Sequence, residues 1–261
     1  MNLDLKGKYA LVCGASQGLG LASAKELALL GATITLVSRS PEKLTEAVRQ
    51  LDNSAGQQHT FIAVDLSDPA AAKTAVEERL QHAPITILVN NAGGPPPGPM
   101  IDTDPQELLK AFTTHLITSH VLAQLLTPGM KQVGFGRIIN IVSTAVKQPI
   151  NGLGISNTVR AAVANWAKTL ANELGEFGIT VNNVLPGFTN TDRLGYLFGK
   201  QAADQGVDKE TILNRTVASI PAKRLGEPHE FGAAVAFLCS PAAAYINGIN
   251  LPVDGGRTGT L

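Results

Sequence analysis

The chain has 261 residues, 44% of them hydrophobic, and its 21 lysines and arginines are balanced by 21 aspartates and glutamates. A zero formal charge argues against a nucleic acid or an anionic membrane surface as partner and favours a small, neutral ligand. No apolar run reaches the roughly twenty residues that a membrane span needs, so we expect a cytoplasmic protein. The two cysteines lack metal-ligand spacing, and we expect buried free thiols and no metal site.

Short apolar runs alternate with helical patterns along the whole chain. Such runs are typical of strands in a parallel sheet that is covered on both faces. Their alternation with helices predicts a single α/β domain over residues 1–261, a Rossmann-type doubly wound parallel sheet of about seven strands with helices on both faces. We predict strands at 9–13, 33–37, 60–64, 85–89, 137–142, 180–185 and 249–253. We predict helices at 19–30, 41–51, 68–81, 104–130, 157–177, 208–219 and 228–238.

A glycine-rich turn follows the first predicted strand. Glycines allow a tight turn and a close approach of the backbone to a ligand, and the next helix would direct its N-terminal amides at an anion. The turn therefore predicts pyrophosphate binding, although a purely structural turn has the same pattern. The residues that we assign to this turn are Gly14, Ser16, Gln17, Gly18, Leu19 and Gly20.

The loops that follow the strands are the expected site, because open parallel sheets bind ligands beyond the carboxyl ends of their strands. One of these loops, 94–99, is stiffened by four prolines. The segment 188–227 has a loose pattern with one amphipathic helix, and we expect it to be a mobile substrate lid. Tyr196 in this segment is expected to cover the substrate, with the role of proton donor as the alternative.

Seven blocks of sequence resemble, in order and register, those of the classical short-chain dehydrogenase/reductase family, most closely its 3-oxoacyl-carrier-protein reductase-like members. The blocks are 14–20, 65–66, 90–93, 139–143, 186–192, 224–228 and 253–256. The resemblance covers nearly the whole chain. It implies a nicotinamide dinucleotide cofactor and a reaction that moves hydride to or from a carbonyl carbon.

The resemblance also implies the residues that hold the cofactor. Asp65 and Leu66 would meet the adenine, although Asp65 also suits a simple strand-end hydrogen-bonding role and Thr191 a helix cap. The remaining implied contacts are Asn91, Ala92 and Gly93 on the adenosine side, and the segment of Pro186, Gly187, Thr189 and Thr191, whose threonines would meet the nicotinamide amide.

The end of the second strand decides between NAD and NADP. An acidic residue there would bond the ribose 2′-hydroxyl, whereas a cation would accept a 2′-phosphate. The chain has Ser38 and Arg39 at this point. We therefore predict NADP (NADPH), with a solvated surface arginine as the alternative.

The resemblance fails at the catalytic positions. The family uses a serine that polarises the carbonyl, a tyrosine that gives the proton, a lysine that lowers the tyrosine pKa, and an asparagine. Ser143 takes the serine position, whereas Ser156, Arg160 and His115 take the other three. A serine hydroxyl is a much poorer acid than a phenol, and arginine does not exchange its proton in the working range. Arg160 is then expected to hold the ribose and orient the cofactor.

Two functions follow from this mixed pattern. The first is an atypical NADP-dependent oxidoreductase acting on a small carbonyl or alcohol, with the proton supplied by water, Ser156 or His115. His115 has an unperturbed pKa near neutrality, although a histidine packed in a helix interface is the alternative. The second is a catalytically inactive nucleotide-binding protein, a sensor or an assembly partner.

In the resembled family, the helices that correspond to 104–130 and 157–177 pair across a dimer axis. We therefore expect a homotetramer or homodimer.

Overall fold

The computed structural model describes residues 1–260, and its centre is one parallel sheet. The strands are β1 Tyr9–Cys13, β2 Thr33–Ser38, β3 Thr60–Ala63, β4 Ile87–Asn90, β5 Gly136–Ile141, β6 Ile179–Pro186 and β7 Asn250–Val253. They are ordered β3-β2-β1-β4-β5-β6-β7, and every neighbouring pair is parallel. The predicted Rossmann-type doubly wound sheet is confirmed.

Helices cover both faces of the sheet. They are α1 Gly18–Leu29, α2 Pro41–Arg49, α3 Pro69–Leu80, α4 Pro105–Phe112, α5 Thr118–Val133, α6 Gly154–Leu174, α7 Asp192–Gln205, α8 Lys209–Ser219 and α9 Pro228–Cys239. Successive strand residues point to opposite faces. In β1, Ala10 and Val12 therefore join a core with α1, α2 and α9, whereas Leu11 and Cys13 join a core with α3, α5 and α6.

The helix predicted at 104–130 is not a uniform α-helix. A π-helical turn, Thr113–Ile117, separates α4 from α5. The Thr118 hydroxyl donates to the backbone oxygen of Leu66 at 2.7 Å and also contacts the oxygen of Thr113 at 3.2 Å. This tertiary contact fixes the wider turn, and such turns are frequent at functional sites. The turn carries His115 into the interior.

The segment 188–227 contains two helices, so the prediction of a single helix there was wrong. The missed helix is α7, which begins where the Thr191 hydroxyl accepts from the backbone N–H of Leu194 at 3.4 Å and ends at Gly206 in a left-handed conformation. Gly195 and Gly199 interrupt its apolar pattern in the sequence. It is held by a small core with α8 that includes Leu194, Phe198, Ala202 and Ile212.

Within residues 1–260, no helix combines the length and the apolar character that crossing a lipid bilayer requires.

Cys13 and Cys239 are buried free thiols as predicted, and burial raises the pKa of each to about 12. Both side chains are therefore neutral packing groups.

Candidate active site

A cleft of about 430 Å³ lies beyond the carboxyl ends of the central strands. The residue that follows each of β1, β4, β5 and β6 lines it, namely Gly14, Asn91, Val142 and Gly187. The strand order reverses between β1 and β4. This is the crevice in which open α/β sheets bind their ligands.

The glycine-rich turn forms one wall of the cleft. Gly14 and Gly18 have positive φ angles of 57° and 60°, which glycine adopts without strain. A Cβ on Gly14 would lie 2.8 Å from the backbone oxygen of Asn91, whose side chain donates to the Gly14 oxygen at 3.1 Å. The carbonyl oxygen of Gly14 lies where a side chain on Gly20 would be. The lack of a side chain at Gly20 therefore lets α1 pack closely on the sheet.

The N-terminus of α1 is open toward an anion. Its first residue follows Gln17, and no side chain caps it, whereas Ser40 caps α2 by accepting from the N–H of Lys43. Uncapped helix amides bind phosphate groups well. Gln17, Gly18 and Leu19 line the cleft, whereas Ser16 and Gly20 lie outside its lining.

The residues expected at the adenosine end lie together past β2 and β3. The Ser38 hydroxyl oxygen is buried without a hydrogen-bond partner among the described residues, and exposed Arg39 has neither a hydrogen bond nor an ion pair within 1–260. The N–H of Ser67, with a smaller contribution from Arg39, holds the pKa of the exposed Asp65 carboxyl below its usual value. Leu66 is buried and borders a small internal cavity instead of the cleft.

Ser143, Ser156 and Arg160 line the same cleft as the glycine turn. The Ser143 oxygen accepts from the N–H of Ala145 at 3.1 Å, which leaves its own proton free to donate into the cleft. Ser156 and Arg160 lie one turn apart on α6 and therefore on one face. Ala92, Gly93, Pro186, Thr189 and Thr191 complete the predicted residues that line the cleft.

Arg160 is a nearly buried cation, 8% exposed. Its Nη1 donates to the backbone oxygen of Ile141 at 2.7 Å. Burial, and then the charge of Arg193, lowers the pKa of the Arg160 guanidinium to about 10. The side chain is therefore still charged at neutral pH.

His115 lies behind Arg160 and does not line the cleft. It is 5% exposed and borders an internal cavity of about 10 Å³ together with Asn90, Asn140 and Arg160. Burial, and then the nearby Arg160, holds the pKa of His115 well below its usual value, against a hydrogen bond with the backbone of Gly93. The imidazole is therefore neutral at neutral pH, next to a cavity about large enough for one water molecule.

Four asparagines tie the site strands together. Asn90, Asn140, Asn183 and Asn250 face one another across β4, β5, β6 and β7. Each amide donates to the next side-chain oxygen, at 2.9, 2.9 and 2.8 Å. This asparagine ladder satisfies polar groups within the sheet and links β4, β5, β6 and β7 to one another.

Sequence reasoning placed the segment 188–227 over the site but missed the helix α7 within it and the contribution of the C-terminal tail to the cleft. Leu194, Leu197, Arg193 and Arg257 line it, whereas Tyr196 is 58% exposed and lies outside the lining. Tyr196 therefore does not cover the cleft as expected. The spacing of Leu194 and Leu197 on one helical face would have been a usable signal if α7 had been recognised.

Residues 14–258 match the family model described as enoyl-(acyl carrier protein) reductase. The 3-oxoacyl-[acyl-carrier-protein] reductase FabG of Vibrio cholerae is 34% identical over 256 residues, which cover 97% of this chain and 98% of that protein. The chain belongs to the short-chain dehydrogenase/reductase family. The resemblance read from the seven blocks is confirmed at this level.

Solved structures of other short-chain dehydrogenases/reductases superimpose over nearly the full length. The L-sorbose reductase of Gluconobacter frateurii, in complex with NADPH and L-sorbose, is 33% identical with a TM-score of 0.93, and all of both chains is covered. YwfH, an NADPH-dependent reductase involved in bacilysin biosynthesis, is 28% identical with a TM-score of 0.92, over 97% of this chain and 99% of that one.

Proposed function

We propose that this short-chain dehydrogenase/reductase is an atypical NADP-dependent oxidoreductase, which transfers hydride between NADP(H) and a small carbonyl or alcohol substrate. The observation that carries the proposal is one shared cleft. The dinucleotide turn forms one wall, and Ser143, Ser156 and Arg160 lie on the other. The family membership supports an oxidoreductase, and the segment 188–227 is the lid of this cleft.

The choice of NADP(H) rests on the adenosine end. Ser38 offers a buried hydroxyl without a partner among the described residues, and Arg39 offers an uncommitted guanidinium. A 2′-phosphate would satisfy the exposed Arg39 guanidinium, since arginine binds phosphate with its planar fork. Several similar solved structures hold NADPH or NADP. The turn at 14–20 then holds the diphosphate.

Ser156 and Arg160 stand at the positions of the family's tyrosine and lysine, and Ser143 stands at the position of its serine. Bound NADPH would supply the hydride. The Ser143 hydroxyl donates a hydrogen bond to the carbonyl oxygen, and Ser156 offers a second hydroxyl one helical turn from Arg160. The charge of Arg160 stabilises the negative charge that develops on this oxygen, because a fixed cation in a partly desolvated site acts strongly.

The proton that completes the alcohol comes from water. Within residues 1–260, the side chains that line the cleft include no tyrosine, lysine, histidine or cysteine. His115 is neutral and screened from the cleft by Arg160. We assign His115 a packing role behind Arg160, beside the water-sized cavity that both residues border.

The lack of a side chain that could act as a general acid in the cleft supports a second candidate function, a nucleotide-binding protein without turnover. Such a protein would keep the turn at 14–20 and the adenosine end and use neither Ser143 nor Ser156. Fold alone does not distinguish the two functions.

NADPH consumption against a panel of ketones, diketones and 3-oxoacyl thioesters, measured beside NADPH affinity by calorimetry, separates them. The oxidoreductase requires oxidation of NADPH with at least one carbonyl compound. Tight NADPH binding with no oxidation across the panel would favour the binding protein.

We also propose a homotetramer or homodimer that pairs through the helices α4 to α6. Large apolar side chains are exposed along this stretch, with Leu109 at 59% and Ile117 at 41%. A groove between α5 and α6 is lined by His120, Leu170 and their neighbours. A monomer mass by light scattering at micromolar concentration would contradict this assembly.

A further inference from the structure

We infer that the substrate carries an oxyanion, a carboxylate or a phosphate, which is bound by arginines of the cleft. This inference deepens the proposed function and rests on it for the identity of the cleft. Three guanidinium groups line the cleft, those of Arg160, Arg193 and Arg257. They come from α6, from α7 and from the C-terminal tail.

The charge of the cleft is unbalanced. Among the described residues that line it, Asp192 carries the only carboxylate. Asp192 is the first residue of α7, where the helix N-terminus itself attracts a negative charge. The chain as a whole has no net charge. The neutral ligand expected from composition therefore gives way to a ligand with negative charge, because the positive charge is local.

Arg160 is the strongest sign of a missing anion. It is 8% exposed, and its one hydrogen bond within 1–260 joins Nη1 to the oxygen of Ile141. A guanidinium has five N–H donors, so most of its donors are left for a ligand. Removing an unpaired cation from water is costly unless an anion compensates it.

Arg193 and Arg257 are held in place by contacts that leave their charge uncompensated. Arg193 donates from Nη2 to the oxygen of Pro95 at 2.9 Å, and its guanidinium lies 5.5 Å from the ring centre of Tyr196. Arg257 lies 4.5 Å above the ring of Phe188. Neither forms an ion pair with a carboxylate of residues 1–260. Stacked guanidinium groups keep their planar fork available for an oxyanion.

The positions of Arg160 and Arg193 favour the substrate over the cofactor diphosphate as their ligand. The diphosphate site is the glycine turn after β1. Arg160 is bonded to the end of β5, and Arg193 lies against Gly94 and Pro95 in the loop after β4. Neighbouring strands are ~4.8 Å apart, so β5 lies about 10 Å from β1 in the order β1-β4-β5. This is the side away from Arg39 and the adenosine.

The test compares a charged and a neutral form of one ketone. Binding of 4-oxopentanoate, methyl 4-oxopentanoate and dihydroxyacetone phosphate to the NADP⁺-saturated protein is measured by calorimetry. We expect at least one of the two anions to bind about tenfold or more tightly than the ester. Arg193→Gln and Arg257→Gln should each weaken the binding of that anion about tenfold to a hundredfold, the range of one hydrogen bond to a charged group. Neither variant should change the affinity for the ester.

Arg215→Gln is the matched control, since Arg215 is exposed on α8 and bonds Gln205 outside the cleft. It should leave all three affinities unchanged. Equal binding of both anions and the ester would overturn the inference. So would a loss of NADP⁺ affinity in Arg193→Gln and Arg257→Gln with anion binding intact, because the arginines would then serve the cofactor. Tight anion binding in a protein that oxidises no NADPH would contradict the proposed oxidoreductase function and still support the anion site.

Discussion

His115 and Arg160 border the same internal cavity, and they oppose each other electrostatically. Burial first, and then the Arg160 guanidinium, keeps the pKa of the His115 imidazole well below 6.5. A neutral imidazole can accept a proton or hold a water molecule, but it holds no acidic proton to give at neutral pH. This relationship argues against His115 as the proton donor and gives His115 a measurable effect on stability.

The stability of the fold should fall in mild acid because of His115. The unfolded chain takes up a proton on this residue as pH falls through about 6.5, whereas the folded chain does so only at lower pH. The unfolded state then binds more protons, so the free energy of unfolding decreases by up to ~1.4 kcal/mol per pH unit from this group. Urea unfolding of wild type and His115→Gln at about pH 7.5 and about pH 5 measures the effect.

The His115→Gln variant should lose less stability between these two pH values than wild type. His82→Gln, at an exposed position, serves as the control and should follow wild type. An identical pH dependence in wild type and His115→Gln would show that the imidazole is not held neutral in the fold.

Arg39 should set the preference for NADP(H) over NAD(H). Arg39→Asp replaces attraction for the 2′-phosphate by repulsion, and it should weaken NADPH binding by about tenfold to a hundredfold, the range of one charge-assisted contact. NADH affinity should be kept or raised. Calorimetry with both cofactors measures this, and Arg49→Asp, at an exposed position on α2, is the control. Equal affinity of the unmutated protein for the two cofactors would contradict the assignment.

The asparagine ladder should be a source of stability. Asn140→Ala removes the middle link, so the amide of Asn90 loses its acceptor and the side-chain oxygen of Asn183 loses its donor. Leaving a buried polar group unpaired costs about 1–3 kcal/mol, so the free energy of unfolding should fall by roughly 2 kcal/mol or more. Urea unfolding checks this. Asn165→Ala, on the exposed face of α6, should change stability little, and a similarly small change for Asn140→Ala would refute the role of the ladder.

Local signals in the sequence were enough for the sheet and for part of the site. The apolar strand runs and the glycine turn depend on neighbouring residues, and their positions agree with the structure to within about one helical turn. The spacing of Ser156 and Arg160 predicted a common helical face, and both line the cleft.

The rest depended on contacts between distant parts of the chain. The π turn around His115 is fixed by the bond from Thr118 to Leu66, which are 52 positions apart. Gly195 and Gly199 interrupt the helical pattern of α7 in the sequence, and α7 is stabilised by packing against α8. The arginines at 160, 193 and 257 converge only in the folded chain, so composition gave a neutral total and no indication of a charged cleft.

Restoring the usual pair of the family should raise ketone reduction. Ser156 lines the cleft, so a tyrosine there has space, and a lysine at 160 would lower its pKa from one turn away. The double variant Ser156→Tyr with Arg160→Lys should reduce a neutral ketone faster than wild type, and each single change should do less. NADPH oxidation rates measure this beside cofactor affinity. A slower double variant with unchanged NADPH affinity would show that the site does not accept a tyrosine acid.

The central claim is that hydride transfer to the carbonyl carbon proceeds here without a tyrosine, while Ser143 donates a hydrogen bond to the carbonyl oxygen. A single-turnover measurement tests it most directly, with NADPH limiting, excess enzyme and the best carbonyl compound from the panel, followed by NADPH absorbance. Wild type should oxidise the bound NADPH completely. Ser143→Ala should do so about a hundredfold more slowly, as for loss of one donor to a developing oxyanion, with NADPH affinity unchanged. Oxidation as fast in Ser143→Ala as in wild type, or none in wild type, would contradict the claim.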